Sequence, residues 1–157
     1  MGKIEITKKV LGICATNCYT VVDTETKEAL IIDPADRADV LIRDWKDKGV
    51  TPTTVLLTHG HFDHIGALAG VKKEYPDIKV YAAAEEKEVM ESPALNLSSS
   101  FGAAFTAQAD IYLEDGAEIE VLGRKCKCLL VPGHTKGGMC YYFPEEHVVF
   151  TGDTLFC

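Results

Sequence analysis

Three of the five histidines in this chain fall within six residues, in the run His59-Gly60-His61-Phe62-Asp63-His64. Imidazole nitrogens and a carboxylate gathered so closely suit zinc, iron or manganese, and the absence of cysteine from the run argues against a closed structural zinc site. The run follows Thr54-Val55-Leu56-Leu57-Thr58, which reads as a buried strand. From the end of such a strand His59 and His61 can point the same way, while Asp63 and His64 begin a helix and turn toward a neighbouring point. One short segment thus offers two adjacent metal positions. A capped helix start with solvated histidines is the plainer alternative, and it leaves the gathering unexplained.

His134, in Val131-Pro132-Gly133-His134-Thr135-Lys136-Gly137-Gly138, ends another predicted strand on a glycine-rich turn. Alone it would read as a surface residue; beside a cluster that needs a third nitrogen it reads as a ligand. Asp153, in Thr151-Gly152-Asp153-Thr154, repeats the pattern with a carboxylate whose two oxygens can bridge two cations. His147 follows Glu145 and Glu146 after a turn and takes no site role.

The elements that must hold these residues alternate at first and then become strand-rich. Strands are predicted over 4–10 and 18–22, and Ala29-Leu30-Ile31-Ile32-Asp33-Pro34 reads as a buried strand stopped by proline. A helix follows, capped by Asp36 or Asp39, striped by Val40, Leu41 and Trp45 and closed by Gly49. Ile65, Leu68 and Val71 carry a second helix toward Pro76. A strand over 78–82 and a helix over 85–90 come next, then a loop around 96–102 suited to a lid or pocket wall. Strands are expected over 118–122, 127–131, 139–143 and 148–151. A single mixed α+β domain follows, with helices outside the sheet and neither repeats nor a linker.

The chain has 157 residues and a formal charge of −8, which disfavours nucleic acid and anionic membranes as partners. No apolar leader or spanning stretch is visible at the sequence level, so a cytoplasmic location and six reduced cysteines are the expectation. Cys126 and Cys128 lie two apart on one face of a predicted strand and fill core positions.

The motifs His59-Gly60-His61-Phe62-Asp63-His64, Pro132-Gly133-His134-Thr135 and Thr151-Gly152-Asp153 resemble the successive metal motifs of the metallo-β-lactamase-fold hydrolases. Asn17-Cys18-Tyr19 and Ile32-Asp33-Pro34 also resemble elements of that family. The resemblance runs along nearly the whole chain and is nearest to single-domain relatives of glyoxalase II, the hydroxyacylglutathione hydrolases. It implies a four-layer αβ/βα sandwich. It also implies His59, His61 and His134 on one metal, Asp63 and His64 on a second, Asp153 between them, and Asp33 supporting the metal loop from behind. The family closes its second site with a further histidine downstream, and only four residues follow Asp153 here. The expectation is therefore a domain of residues 1–157 whose second half is incomplete at the C-terminus, with self-association through an uncovered sheet.

The implied chemistry is hydrolysis with two zinc ions, iron or manganese being the other metals of suitable preference. A metal pair brings the pKa of bound water toward neutrality and polarises a carbonyl, and Asp63 would orient the nucleophile. No strongly placed general acid is evident, which suits a thiolate leaving group of pKa about 8.5 better than an amine. The expected substrate is a small-molecule thioester or ester. A mononuclear iron persulfide dioxygenase using His59, His134 and Asp153, or a shortened domain with little activity, are the alternatives. β-Lactam hydrolysis and nuclease activity rank lower.

Overall fold

Residues 3–12, 14–101, 104–131 and 138–151 are described by the structure, a computed structural model. Six strands form the first sheet in chain order: β1 (Ile4–Leu11), β2 (Thr16–Asp23), β3 (Glu28–Ile32), β4 (Thr51–Leu56), β5 (Lys79–Ala83) and β6 (Ile111–Leu113). The β1–β2 and β2–β3 junctions are antiparallel, and those from β3 to β6 are parallel. Parallel neighbours need crossovers, and the helices supply them. Helix α1 (Ala38–Lys48) joins β3 to β4, α2 (Phe62–Ile65) and α3 (Leu68–Glu74) join β4 to β5, and α4 (Lys87–Glu91) lies between β5 and β6. The second sheet is antiparallel, in the order β10 (Val148–Phe150), β9 (Met139–Phe143), β8 (Arg124–Leu130), β7 (Glu118–Val121).

Strand β3 shows how the layers are held. Ala29, Leu30, Ile31 and Ile32 are all buried, as a strand covered on both faces requires. Alternation then divides them. Ala29 and Ile31 pack with Leu41, Trp45 and Val71 on the helical side, whereas Leu30 and Ile32 pack with Cys126, Cys128, Tyr141 and Phe150 between the sheets. Trp45 is fully buried and spends its indole N–H on Thr20 Oγ1 at 3.1 Å. Among the described residues the molecule is thus three layers of the expected sandwich: helices, the six-stranded sheet and the four-stranded sheet. The outward face of the second sheet exposes Leu129 and Val149.

Several boundaries differ from the sequence reading. Helix α1 is preceded by Arg37 in the left-handed region (φ 54°) and has no side-chain cap; Asp36 Oδ1 instead accepts the Arg37 amide, and Asp39 pairs with the Arg37 guanidinium at 3.2 Å. Gly49 (φ 66°) closes the helix as expected. The single helix expected toward Pro76 is two helices. A Cβ on Gly66 would lie 2.2 Å from the Ala35 carbonyl oxygen, so the chain passes that backbone too closely for any other residue before α3 restarts. Strand β8 starts at Arg124, three residues before the expected 127. Residues 98–101 form a short 3-10 turn. Cys18, Cys126, Cys128 and Cys140 are free thiols, as expected. No helix among the described residues is long and apolar enough to cross a membrane.

Candidate metal centre

Strands β3 and β4 run side by side in parallel, so Asp33 and Thr58, just past their carboxyl ends, emerge at the same edge of the sheet. Asp33 takes a left-handed conformation (φ 51°), which aspartate tolerates better than most side chains. Its carboxylate bends back over the β4 exit, where Oδ1 accepts the Thr58 amide at 2.7 Å. Oδ2 accepts the Thr58 hydroxyl and pairs with His64 Nδ1 at 2.9 Å.

This carboxylate sets two tautomers. The Asp33 oxygen is an acceptor, so His64 Nδ1 carries a proton, which leaves Nε2 as the nitrogen that a metal would take. The Thr58 hydroxyl proton is committed to Asp33, so Thr58 Oγ1 accepts from His59 Nδ1, 3.2 Å away. His59 then also presents a lone pair at Nε2. The two rings lie 4.9 Å apart between centroids. Beside them Asp63 Oδ2 lies 3.4 Å from His64 Nε2 and accepts the Thr16 hydroxyl at 2.9 Å. His61 is buried and extended (φ −68°, ψ 152°) at the start of α2.

Four further hydrogen bonds anchor the loop and the strand exit that leads into it. The Gly60 amide donates to Glu86 Oε1 at 2.9 Å, and a Cβ on Gly60 would stand 2.7 Å from Met90 Cγ. The Phe62 amide donates to the Asn96 carbonyl at 2.8 Å, while the Asn96 side chain ties to Met90 O and Phe105 O. The loop expected as a lid or wall is in this part a buttress. From the other sheet, the Tyr141 hydroxyl donates to Leu57 O at 2.6 Å and the Met139 amide to Thr58 O at 2.9 Å. The Tyr141 phenol is pushed well above its ordinary pKa by burial, so it remains a donor at any physiological pH. Burial likewise raises the Cys18 thiol to about 12, which removes it as a nucleophile.

The expected residues divide accordingly. His59, Asp63 and His64 are brought together, and His61 is on the same buried loop. His134 and Asp153 lie outside the described residues, among which no three His, Cys, Asp or Glu side chains form a complete ligand set. The flanks of the His134 segment are described. The Val131 amide donates to Gly138 O at 2.7 Å, and a Cβ on Gly138 would approach His59 Nε2 to 3.2 Å. Gly138 therefore lies beside that nitrogen, with Val131 hydrogen-bonded to it. The donor set fits a divalent transition metal: two neutral imidazoles oriented by hydrogen bonds at Nδ1, with a carboxylate beside one of them. Thr16, Thr58, Glu86 and Tyr141 were not singled out from sequence, where a lone threonine or glutamate carries no pattern.

The metallo-beta-lactamase superfamily model matches residues 11–156. The chain is 36% identical over 148 residues to the probable metallo-hydrolase YqgX of Bacillus subtilis, covering 93% of this chain and 69% of that protein. It is 31% identical to a hydroxyacylglutathione hydrolase of a Synechococcus strain, covering 88% of this chain and 49% of that protein. It therefore spans about half to two thirds of the length of these relatives. Among solved structures, the BLEG-1 B3 metallo-beta-lactamase superposes with a TM-score of 0.88 at 37% identity, covering 98% of this chain and 74% of that one. TTHA1623 in a di-iron-bound form gives 0.78 at 32%, covering 96% and 73%. With its two sheets, its outer helices and its histidine loop at the strand ends, the chain belongs to the metallo-β-lactamase superfamily.

Proposed function

We propose that this chain is a metal-dependent hydrolase of small-molecule thioesters of the hydroxyacylglutathione type. The observation that carries the reading is the Asp33–Thr58–His59 and Asp33–His64 hydrogen-bond set, which turns two Nε2 lone pairs outward next to Asp63. In this reading His59, His61 and His134 hold one metal, Asp63 and His64 a second, and Asp153 lies between. Zinc is the preferred ion, with iron and manganese as the other candidates. When bound, the metal polarises a carbonyl and makes water acidic. The chain's own part is orientation. Thr16 fixes one Asp63 oxygen, so that this carboxylate can align the attacking water, and Asp33 holds the imidazoles so that little reorganisation is needed on binding. A thiolate leaves without a dedicated acid, in keeping with the scarcity of proton donors among the described site residues. Similarity to a hydroxyacylglutathione hydrolase supports the substrate class.

A second reading, β-lactam hydrolysis, is favoured by the likeness to BLEG-1. Zinc-loaded protein assayed with S-lactoylglutathione, a chromogenic cephalosporin and glutathione persulfide separates the readings. Thioester turnover at least ~100-fold above the cephalosporin, in kcat/KM, is expected, a gap of about 2.7 kcal/mol in transition-state stabilisation. Cephalosporin turnover exceeding thioester turnover, or oxygen uptake with persulfide, would displace the thioesterase reading.

A further inference from the structure

Strand β1 lies at the open edge of the first sheet, with β2 on one side and no strand on the other among the described residues. The Lys3 carbonyl accepts the Thr24 amide, so the odd-numbered positions of β1 spend their backbone groups on β2. Alternation then turns the amides and carbonyls of Ile4, Ile6, Lys8 and Val10 outward. Ile6 and Val10 expose 42% and 55% of their surface on the same face of this strand. An eight-residue edge with outward backbone groups and exposed branched side chains is a template for another strand.

We infer that β1 is a homodimer edge, at which the β1 strands of two copies pair antiparallel about a twofold axis at Thr7 and join their first sheets. The sequence of the strand is complementary to itself in that register. Ile4 faces Val10 of the second copy, and Ile6 faces Lys8. These are the outward-directed positions, so the backbone bonding parity is correct. Glu5 faces Lys9 of the second copy, and the twofold axis repeats the pair. Glu5 and Lys9 then occupy the non-hydrogen-bonded sites, where side chains approach most closely. Sliding the register by two residues one way sets Glu5 against Leu11 and Lys8 against its own copy. Sliding it the other way sets Glu5 against Thr7 and Lys9 against Lys3. Both slides lose the matched ion pairs and bring like charges together, so charge selects the Thr7-centred arrangement. The occupant is a second copy of this chain because the complementarity resides within the strand.

Sedimentation velocity on the metal-loaded chain tests this, with circular dichroism and zinc titration as controls for folding. A concentration-dependent dimer is expected. Glu5→Lys sets like charges opposite each other twice and should weaken the dimer by about 10-fold or more. The double variant Glu5→Lys/Lys9→Glu should restore it. Ile6→Pro removes an outward N–H that β2 does not use, and should give a folded monomer with unchanged zinc binding. A wild-type chain that stays monomeric at the highest soluble concentration would overturn the inference. So would a dimer that survives both Glu5→Lys and Ile6→Pro, since its interface would lie elsewhere, such as the outward face bearing Leu129 and Val149.

Discussion

Asp33 does several tasks with one carboxylate: it accepts from the Thr58 amide and hydroxyl and from His64 Nδ1, in a left-handed backbone conformation that directs it back over β4. Asp33→Asn keeps the shape but exchanges one acceptor oxygen for an NH₂ donor. With the NH₂ in place of Oδ1 the Thr58 amide loses its acceptor at the start of the loop, and with it in place of Oδ2 the Thr58 hydroxyl and His64 Nδ1 both lose theirs and the imidazoles are no longer oriented. Zinc affinity should fall about 10–100-fold while the fold persists, as read by competition with a chromogenic chelator. Unchanged affinity would show that Asp33 does not orient the ligands. The histidine run was legible because ligand types at short spacing form a pattern, and Asp33 because its motif resembles the family's, whereas the expected Asp153 lies outside the described residues. Thr16 and Thr58 were not legible, since their partners Asp63 and Asp33 lie 47 and 25 residues away in sequence.

At the scale of elements, periodicity identified β3, β4, α1 and the second-sheet strands, whose apolar faces are fixed by burial. It failed where a single backbone contact overrides the pattern. Helical spacing continues through Ile65, Leu68 and Val71, yet the Ala67 amide donates to Pro34 O at 2.9 Å instead of to its own helix, and the helix splits there. The cap of α1 failed similarly, because Asp36 bonds the neighbouring Arg37 amide and leaves no cap bond for the first turn. Strand β9 has a role that no local pattern announces: its Tyr141 hydroxyl reaches across the core to Leu57 O. Tyr141→Phe removes the donor and leaves a buried carbonyl unsatisfied. It should cost about 1–3 kcal/mol in urea unfolding and loosen the loop that begins at Thr58, so that zinc affinity falls together with stability. A loss of neither would separate the second sheet from the site.

Across the whole molecule, the two sheets are joined beside the histidine loop by Tyr141 and Met139, and elsewhere by Arg124, which starts β8. Its guanidinium pairs with Asp23 at the end of β2 at 2.7 Å and with Glu146 at 2.7 Å. The hydrogen bond from Arg124 holds the Asp23 carboxyl at about 2, below its ordinary 3.8. A folded value below the unfolded one adds stability above the unfolded pKa and loses it as pH falls through the folded one. The difference in melting temperature between the wild type and Asp23→Asn should therefore be constant above about pH 5 and shrink between about pH 4 and pH 2. A difference that persists undiminished at pH 2 would remove this pair from the acid response. A mixed sheet with helices outside was legible in the alternation of elements and the layered sandwich in the family resemblance, whereas this join, 101 residues apart in sequence, was not.

Metal held at the ends of β3 and β4 is the central claim, and anomalous diffraction from crystals grown with zinc measures it directly. It should show zinc within about 2.0–2.1 Å of the ring nitrogens of His59, His61 and His134, with a second peak at Asp63 and His64 and Asp153 between the two. Zinc bound only at sites away from the 59–64 loop, or rings of His59 and His64 turned from any peak, would contradict it.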